Sequence, residues 1–418
     1  MSGRVTSSLK SEPFFVRKHS IEGVGYSVVE LNDVRHVFAS AVPRRGQTLS
    51  EQILDALETI RQVNADEGIR GSIIQQAVFV SRAEDLGECR ELIRDFYGPE
   101  MPATTYILQP PCQGKLVAIE ALGVGRAHEG VQVLRLDDQL VIASHSGVSW
   151  VHCADIVPKT SATGVYERSL DAFRQMQAKL ARAGVGFEEV IRTWLYLGDI
   201  VGAEGETQRY KELNRARTDF YEPIRFRAGK LPPGQNPTVY PASTGIGTEG
   251  RDIVMSCIAL QTTRQDIVGM PLENPLQTSA FKYSACYGSK SPKFSRAMAL
   301  SCGPFATIFV SGTASITNEE TRFIGDVEKQ THQTLDNIEA LISDYNLARH
   351  GMRGLGTGLD GLALARVYIK RQEDYAKTRA VCEKRLGELP TVYAIADVCR
   401  PELLVEIEGI AFSRRHDW

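Results

Sequence analysis

Two carboxylates stand two residues apart in the segment LLVEIEGIAF, Glu406 and Glu408. In a strand this spacing puts both on one face, with Val405 and Ile407 on the other. A carboxylate drawn partly out of water has a raised pKa and can act as a general acid; on a solvated strand face the same pair would be two surface charges. The chain supplies its own control. Residues 102–120 (PATTYILQPPCQGKLVAIE) overlay residues 390–408 (PTVYAIADVCRPELLVEIE) without a gap, and a fainter third copy, 241–260 (PASTGIGTEGRDIVMSCIAL), follows the same order. Glu408 is matched by Glu120. Glu406 is matched by Ala118 and Met255, so it is not needed for the shared fold and becomes the candidate acid.

The elements that carry these residues also recur. Upstream of each copy lies a block that reads as strand, acidic turn and helix: AVFVSRAEDLGECRELIRDFYG from Ala77, RTWLYLGDIVGAEGETQRYKELNRARTDFY from Arg192, and LARVYIKRQEDYAKTRAVCEKRL from Leu364. The VFV, WLYL and VYI cores are β-rich, and helical spacing follows them. Before each block sits a further amphipathic helix, expected over 50–64, 166–183 and 327–345. The unit is a β-α-β-α-β repeat covering about a third of the chain. Boundaries near 135 and 270 give repeats 1–135, 136–270 and 271–418, the first diverged and without catalytic residues, the third carrying the catalytic site. Such α+β units bury their free sheet faces against one another, and three of them close a pseudo-threefold core.

Composition narrows the function. Over 418 residues, Lys+Arg 48 against Asp+Glu 51 gives a net charge of -3, with no basic footprint for nucleic acid or polybasic tail for a membrane. Bound anions must be met by a few placed arginines. The amino terminus, MSGRVTSSLKSEPFFVRKHS, has no apolar core of a signal peptide, so a cytoplasmic location is expected. Eight cysteines without a CxxC pair and eight histidines without HxH or HExxH spacing support reduced thiols, no metal and no other cofactor. GTGLDG (356–361) and GIGTEG (245–250) satisfy GxGxxG but lead into strands rather than helices, and read as turns. RFRAGKLPPGQNP (225–237) reads as a basic loop that could cover an anionic site.

VSGTAS (310–315), Gly325-Asp326 followed by a helix bearing Gln330, LDNIEALI (335–342) and LLVEIEGIAF (403–412) resemble the YjgF/RidA family. The resemblance implies three RidA-like (chorismate-mutase-like) repeats with sites at the interfaces between units. RidA-type imine deaminases keep a carboxylate-holding arginine upstream of the glutamate, where this chain has Val392 and Tyr393, and that departure disfavours a deaminase. IRTWLY, PASTGIGTEG, ENPLQTSAFKYSACYGSKSPKFSRA and LLVEIEGIA instead resemble the chorismatases, which remove pyruvate from chorismate, over about 141–412.

That resemblance implies chorismate as the partner and assigns the remaining site residues. Glu406 is the acid. Arg296 (KFSRA) and Arg379 (KTRAVC) hold substrate carboxylates, although each arginine could equally be a surface ion pair; for the second, Ala380 is an alternative match after one gap. Tyr283 (FKYSACYG) hydrogen-bonds substrate, or is a core tyrosine. Gly312, Cys399 and Gln277 are the choices of the branch that forms 3-hydroxybenzoate rather than the dihydroxycyclohexadiene carboxylate of the hydrolytic branch, with Cys399 counted as catalytic beside Glu406 and Gly312 and Gln277 as substrate-binding. As alternatives, Cys399 is a small buried hydrophobe and Gly312 a close backbone approach. The assembly is expected to be a pseudo-trimeric monomer or a homo-oligomer.

Overall fold

The computed structural model describes residues 15–415 apart from 22, 70–71, 126–130, 228–230, 233 and 289. Three six-stranded sheets follow one another along the chain. The first contains β1 (Val16–Ile21), β2 (Val24–Leu31), β3 (Val34–Ala41), β4 (Ser72–Val80), β5 (Ala103–Leu108) and β6 (Val117–Gly125), with helices α1 (Leu49–Asp66) and α2 (Leu86–Tyr97). The second contains β7 (Gln132–Asp137), β8 (Leu140–His145), β9 (Val148–Ile156) and β10 (Val190–Gly198). A short hairpin, β11 (Ala203–Glu204) and β12 (Thr207–Gln208), comes next, then β13 (Ala242–Thr248) and β14 (Ile253–Thr262); the helices are α3 (Val165–Ala181) and α4 (Arg209–Tyr221). The third contains β15 (Val268–Leu272), β16 (Ala297–Cys302), β17 (Phe305–Ala314), a hairpin of β18 (Ile316–Thr317) and β19 (Glu320–Thr321), then β20 (Leu362–Ile369), β21 (Thr391–Ile395) and β22 (Val405–Arg414). Its helices are α5 (Val327–Ile342), α6 (Asp344–Arg349) and α7 (Tyr375–Leu386).

All three sheets have one strand order: β1-β2-β3-β6-β4-β5, β7-β8-β9-β14-β10-β13 and β15-β16-β17-β22-β20-β21. In each, the last pair is parallel, and α2, α4 or α7 makes the crossover that parallel neighbours require. The gapless overlay corresponds to β5 on β21 and β6 on β22. In the second sheet the register corrects one expectation. Glu406 pairs with Tyr368, Ala118 with Phe79, and Val254 with Tyr196, so the counterpart of Glu406 is Val254 rather than Met255. The connection between β13 and β14 is shorter than those between β5 and β6 or β21 and β22, and a gapless overlay therefore slides. GIGTEG differs too: Gly245–Thr248 complete β13, and only the end of the motif turns.

Each sheet buries one face under its own helices. Ile53, Leu57, Ile60 and Ile93 pack on the first, Phe173, Met176 and Leu213 on the second, and Leu335, Ile338 and Leu341 on the third. The opposite faces meet in a shared core that includes Phe79, Trp194, Tyr196, Phe309 and Tyr368. At its centre the apolar packing gives way to charge. Glu408 is ion-paired with Arg192 of the second sheet and with Arg366 Nη1 at 3.1 Å, and Arg366 reaches Glu120 of the first sheet in two hydrogen bonds of 2.7 and 2.8 Å. Trp194 Nε1, Tyr368 Oη and Thr244 Oγ1 also donate to Glu408. Burial pushes the Glu408 carboxyl up, but Arg192 and Arg366 outweigh it and hold the group below its usual range.

Among the described residues no helix is long and apolar enough to cross a membrane, and no three His, Cys, Asp or Glu side chains converge as metal ligands would. Residues 1–14 of the amino-terminal stretch and part of the basic loop at 225–237 lie outside the described residues.

Candidate active site

Glu406 is placed by two strands and a clamp. Its strand β22 lies between β17 and β20, and the loop leading into it is fixed from α5: Gln330 Nε2 donates to the Glu402 carbonyl at 3.0 Å while its Oε1 accepts from the Leu404 amide at 2.8 Å. The Gln-bearing helix noted in the sequence thus holds the segment that carries the acid. On β17 the register shifts between Val310 and Thr313, and Gly312 in that bulge has no side chain to obstruct the carboxyl. A Cβ at 312 would fall well inside contact distance of Glu406 Oε1.

The Glu406 side chain is 4% exposed and faces a cavity of about 380 Å³ between the second and third sheets. Burial, reinforced by the charge of Glu408, raises its pKa to about 8, against the opposing pull of Arg192 and Arg296. At neutral pH this carboxyl therefore keeps its proton, as a general acid must. Cys399 lines the same cavity. Burial pushes its thiol up to about 12, which leaves a small neutral wall group rather than a nucleophile.

Arg296 is buried in the wall just before β16. Its Nη2 donates to Tyr283 Oη at 2.6 Å and to the Thr278 carbonyl at 3.0 Å, and its Nε has no partner. Tyr283 therefore both orients Arg296 and lines the cavity. A second arginine, which sequence reading missed, completes the pair. Arg217 of α4 is 1% exposed, bonds Asn214 and Ser243, and leaves its own Nε unpartnered. The Phe294 ring lies 5.5 Å from both guanidiniums. The signal was present in the repeats: aligned on their C-terminal caps, α2 and α7 carry Ile93 and Cys382, both buried, where α4 carries Arg217. Lys211, Lys290 and Arg400 add cations to the lining, Arg400 stacked 4.0 Å over Tyr287.

Two expected residues are not brought to the cavity. Arg379 stands on α7 with half its side chain in solvent, paired with Glu383 at 2.6 Å. The i,i+4 spacing of opposite charges accounts for that placement, and Arg217 occupies the wall position in its stead. Gln277 is buried outside the lining, its Nε2 donating to the Ile316 carbonyl at 3.0 Å; it meets the site through Ile316, which lines the cavity.

A buried protonated carboxyl that lines one cavity with two buried arginines suits acid catalysis on a small dianion. Similarity to known proteins is consistent with such a site. Residues 126–259 match the family described as Chorismatase FkbO/Hyg5-like, N-terminal, and residues 290–413 match Endoribonuclease L-PSP. A 3-hydroxybenzoate synthase of Streptomyces hygroscopicus is 35% identical over 277 residues, 63% of this chain and 76% of the relative. The chain belongs to the chorismatase family. A chorismatase of Streptomyces rapamycinicus is 35% identical over 276 residues, covering 64% of this chain and 78% of its own length. A chorismatase crystal structure shares the fold with a TM-score of 0.63 at 22% identity, over 92% of this chain and 99% of that one. Neither family description reaches the first sheet, which joins the chorismatase architecture by its fold.

Proposed function

We propose that this protein converts chorismate into 3-hydroxybenzoate and pyruvate. The observation that carries the reading is Glu406, protonated at neutral pH and facing the same cavity as Arg217 and Arg296. The two arginines hold the two carboxylates of the substrate, Arg296 oriented by Tyr283, while Lys211 and Lys290 draw the dianion in. Glu406 gives its proton to the methylene carbon of the enolpyruvyl ether, and the ether carbon becomes an oxocarbenium-like centre. The ring hydroxyl attacks this centre and its own bond to the ring carbon breaks, so that its oxygen becomes the pyruvate carbonyl as the original ether C–O bond breaks. The hydroxyl proton passes to the released ring oxygen and the adjacent ring C–H proton returns to Glu406 as the ring aromatises, which leaves 3-hydroxybenzoate and pyruvate. The atoms of chorismate partition between these two products without added water. In the hydrolytic alternative one water enters and the ring product is a dihydroxycyclohexadiene carboxylate.

Gly312 and Cys399 support the non-hydrolytic branch as small groups beside the acid, and Gln277 acts as a positioning residue through Ile316. A Rid-type deaminase remains the less favoured reading, since Val392 and Tyr393 hold the place of its arginine. We assign the chain as three units that begin their second and third members at β7 and β15, a few residues ahead of the 135 and 270 expected from the sequence; none of the cavity's described lining residues comes from the first, in keeping with its non-catalytic assignment. The cytoplasmic setting belongs to the same reading: the seven described cysteines are free thiols, as reducing compartments keep them.

Incubation with chorismate, with pyruvate read by a coupled dehydrogenase and ring products by chromatography with mass detection, tests the proposal. Equal amounts of 3-hydroxybenzoate and pyruvate are expected. Dihydrodiol alone would move the protein to the hydrolytic branch, and no pyruvate at high enzyme would remove chorismate as substrate. In Cys399→Ala, which opens space for roughly one water, part of the ring product should divert to the dihydrodiol.

A further inference from the structure

Arg296, in the wall of the catalytic cavity, has a carboxyl behind it. Strand β15 runs antiparallel to β16 with Leu272 opposite Ala297, and one step beyond the paired residues the same register sets Glu273 opposite Arg296, the arrangement in which cross-strand side chains meet. Each of the two acts on the charge of the other. Helix α6 fixes the main chain at this point. The Glu273 amide donates to His350 Nε2 at 3.2 Å, its carbonyl accepts from Asn346 Nδ2 at 3.0 Å, and the His350 ring is itself held by a bond of 2.8 Å from Nδ1 to the Asn346 carbonyl.

Glu273 is not among the described residues that line the cavity. Both of its carboxyl oxygens are buried and neither completes a hydrogen bond, and Arg296 Nε is in the same condition. Burial drives the carboxyl up to about 7, against the weaker pull of Arg296, of Ser279, of the Arg296 main chain and of Lys282. His350, the titratable group packed on residue 273 from α6, is lowered by burial and accepts through Nε2, so it is neutral here. Tyr283 occupies the other side of the guanidinium, accepting from Nη2. The charge of Glu273 near neutrality therefore depends on what else Arg296 faces. A dianion in the cavity is balanced by two buried guanidiniums, those of Arg217 and Arg296, only if Glu273 is neutral; ionised, it would leave one buried negative charge in excess. Of two carboxylates competing for one guanidinium, the one whose proton is held more tightly gives way, and that is Glu273.

We propose that Glu273 is a positioning residue of the catalytic site, the counter-ion of Arg296 in the empty enzyme, which takes a proton from solvent and releases the guanidinium when a substrate carboxylate arrives. The proposal rests on the chorismate reading above. Binding is then linked to protonation with a fixed sign: below pH 7 Glu273 is already neutral, and above it each rise in pH opposes binding. Chorismate stays a dianion throughout this range. Its KM, from initial rates of pyruvate release, should therefore rise about tenfold or more between pH 6 and pH 8 in the wild type. Glu273→Gln, of the same size but unable to ionise, should limit the rise to about twofold, the part that Glu406 leaves, and lower KM at pH 8 while moving kcat much less. Glu273→Asp, shorter but ionisable, should keep a KM that depends on pH. Circular dichroism reports that each variant is folded. A wild-type KM that is flat from pH 6 to 7.5 would overturn the proposal without any variant. So would a folded Glu273→Gln that keeps the full rise, or one that loses kcat with its KM profile intact, since a merely structural carboxyl behaves in that way. No pyruvate from the wild type at any pH would instead remove the chorismate reading itself.

Discussion

Glu406 loses its charge on folding because the cavity wall and Glu408 both disfavour the anion, and two predictions follow from that one fact. Glu406→Gln keeps the shape without the proton and should lower kcat by about 10²–10⁴-fold; wild-type pyruvate release at saturating chorismate would remove it from the acid role. In the wild type, kcat/KM should fall as pH rises through about 8, where the free enzyme gives up the proton. The same shift bears on stability with a definite sign. A carboxyl raised from its ordinary 4.5 to about 8 binds its proton more tightly in the folded state, so stability declines as pH rises between those values. Glu406→Gln should therefore unfold at higher denaturant than wild type at pH 9, and the gain should vanish by pH 4; an equal difference at both values would show that titration is not involved. Gly312 sets the space this carboxyl occupies. Gly312→Ala must push Glu406 aside, so we expect a loss of total turnover of about tenfold or more before any change of ring product. Unaltered turnover would mean that the carboxyl has another place to go.

Strands and helices contribute to the site in different ways, which explains what was legible in the sequence. Alternation along β22 puts Glu406 and Glu408 on one face, since strand faces follow from parity alone, and the gapless copy in β6, with Ala118 and Glu120 at the matching places, tells them apart. Arg217 is equally out of place on α4, at a position where α2 and α7 bury Ile93 and Cys382, but a helix shows this only after its ends are aligned through their caps. Arg379 misleads for the converse reason. Its residue type suits carboxylate binding, yet Glu383 one turn later is its partner. Lys290, Arg400 and Tyr287 come from loops without periodicity, and no spacing rule points to them. At this scale we expect Arg217→Ile, the residue of α2, to raise the KM for chorismate about 10–100-fold, the equivalent of a charge-assisted contact of roughly 1.5–3 kcal/mol, while leaving the protein as stable as wild type or more so. Arg379→Ala should change KM less than about twofold, as exposed pairs do. Steady-state kinetics on both variants decides which arginine holds substrate, and the reverse pattern would restore Arg379 to the site.

Across the whole molecule, Glu120, Arg192, Arg366 and Glu408 join all three sheets through one buried charge network. Removing one member strands the others without water, at a cost of about 3–5 kcal/mol. Glu408→Gln should therefore shift the denaturation midpoint strongly while the folded fraction keeps most of its turnover, the converse of Glu406→Gln; a stable but inactive Glu408→Gln would give that residue a part in the chemistry. The covalent continuity of the three sheets has a further consequence. In an assembly of identical subunits every substitution appears at each interface, so a buried acid and a buried arginine would burden three junctions to make three sites. Here Glu406 faces Ala118 and Val254 at the equivalent positions, and Arg217 faces Ile93 and Cys382. Symmetry is broken at one junction, and at the equivalent positions the other two carry neither the acid nor the arginine. One site per 418 residues is the stoichiometry this allows, with the desolvation of an acid incurred once in the whole particle instead of three times.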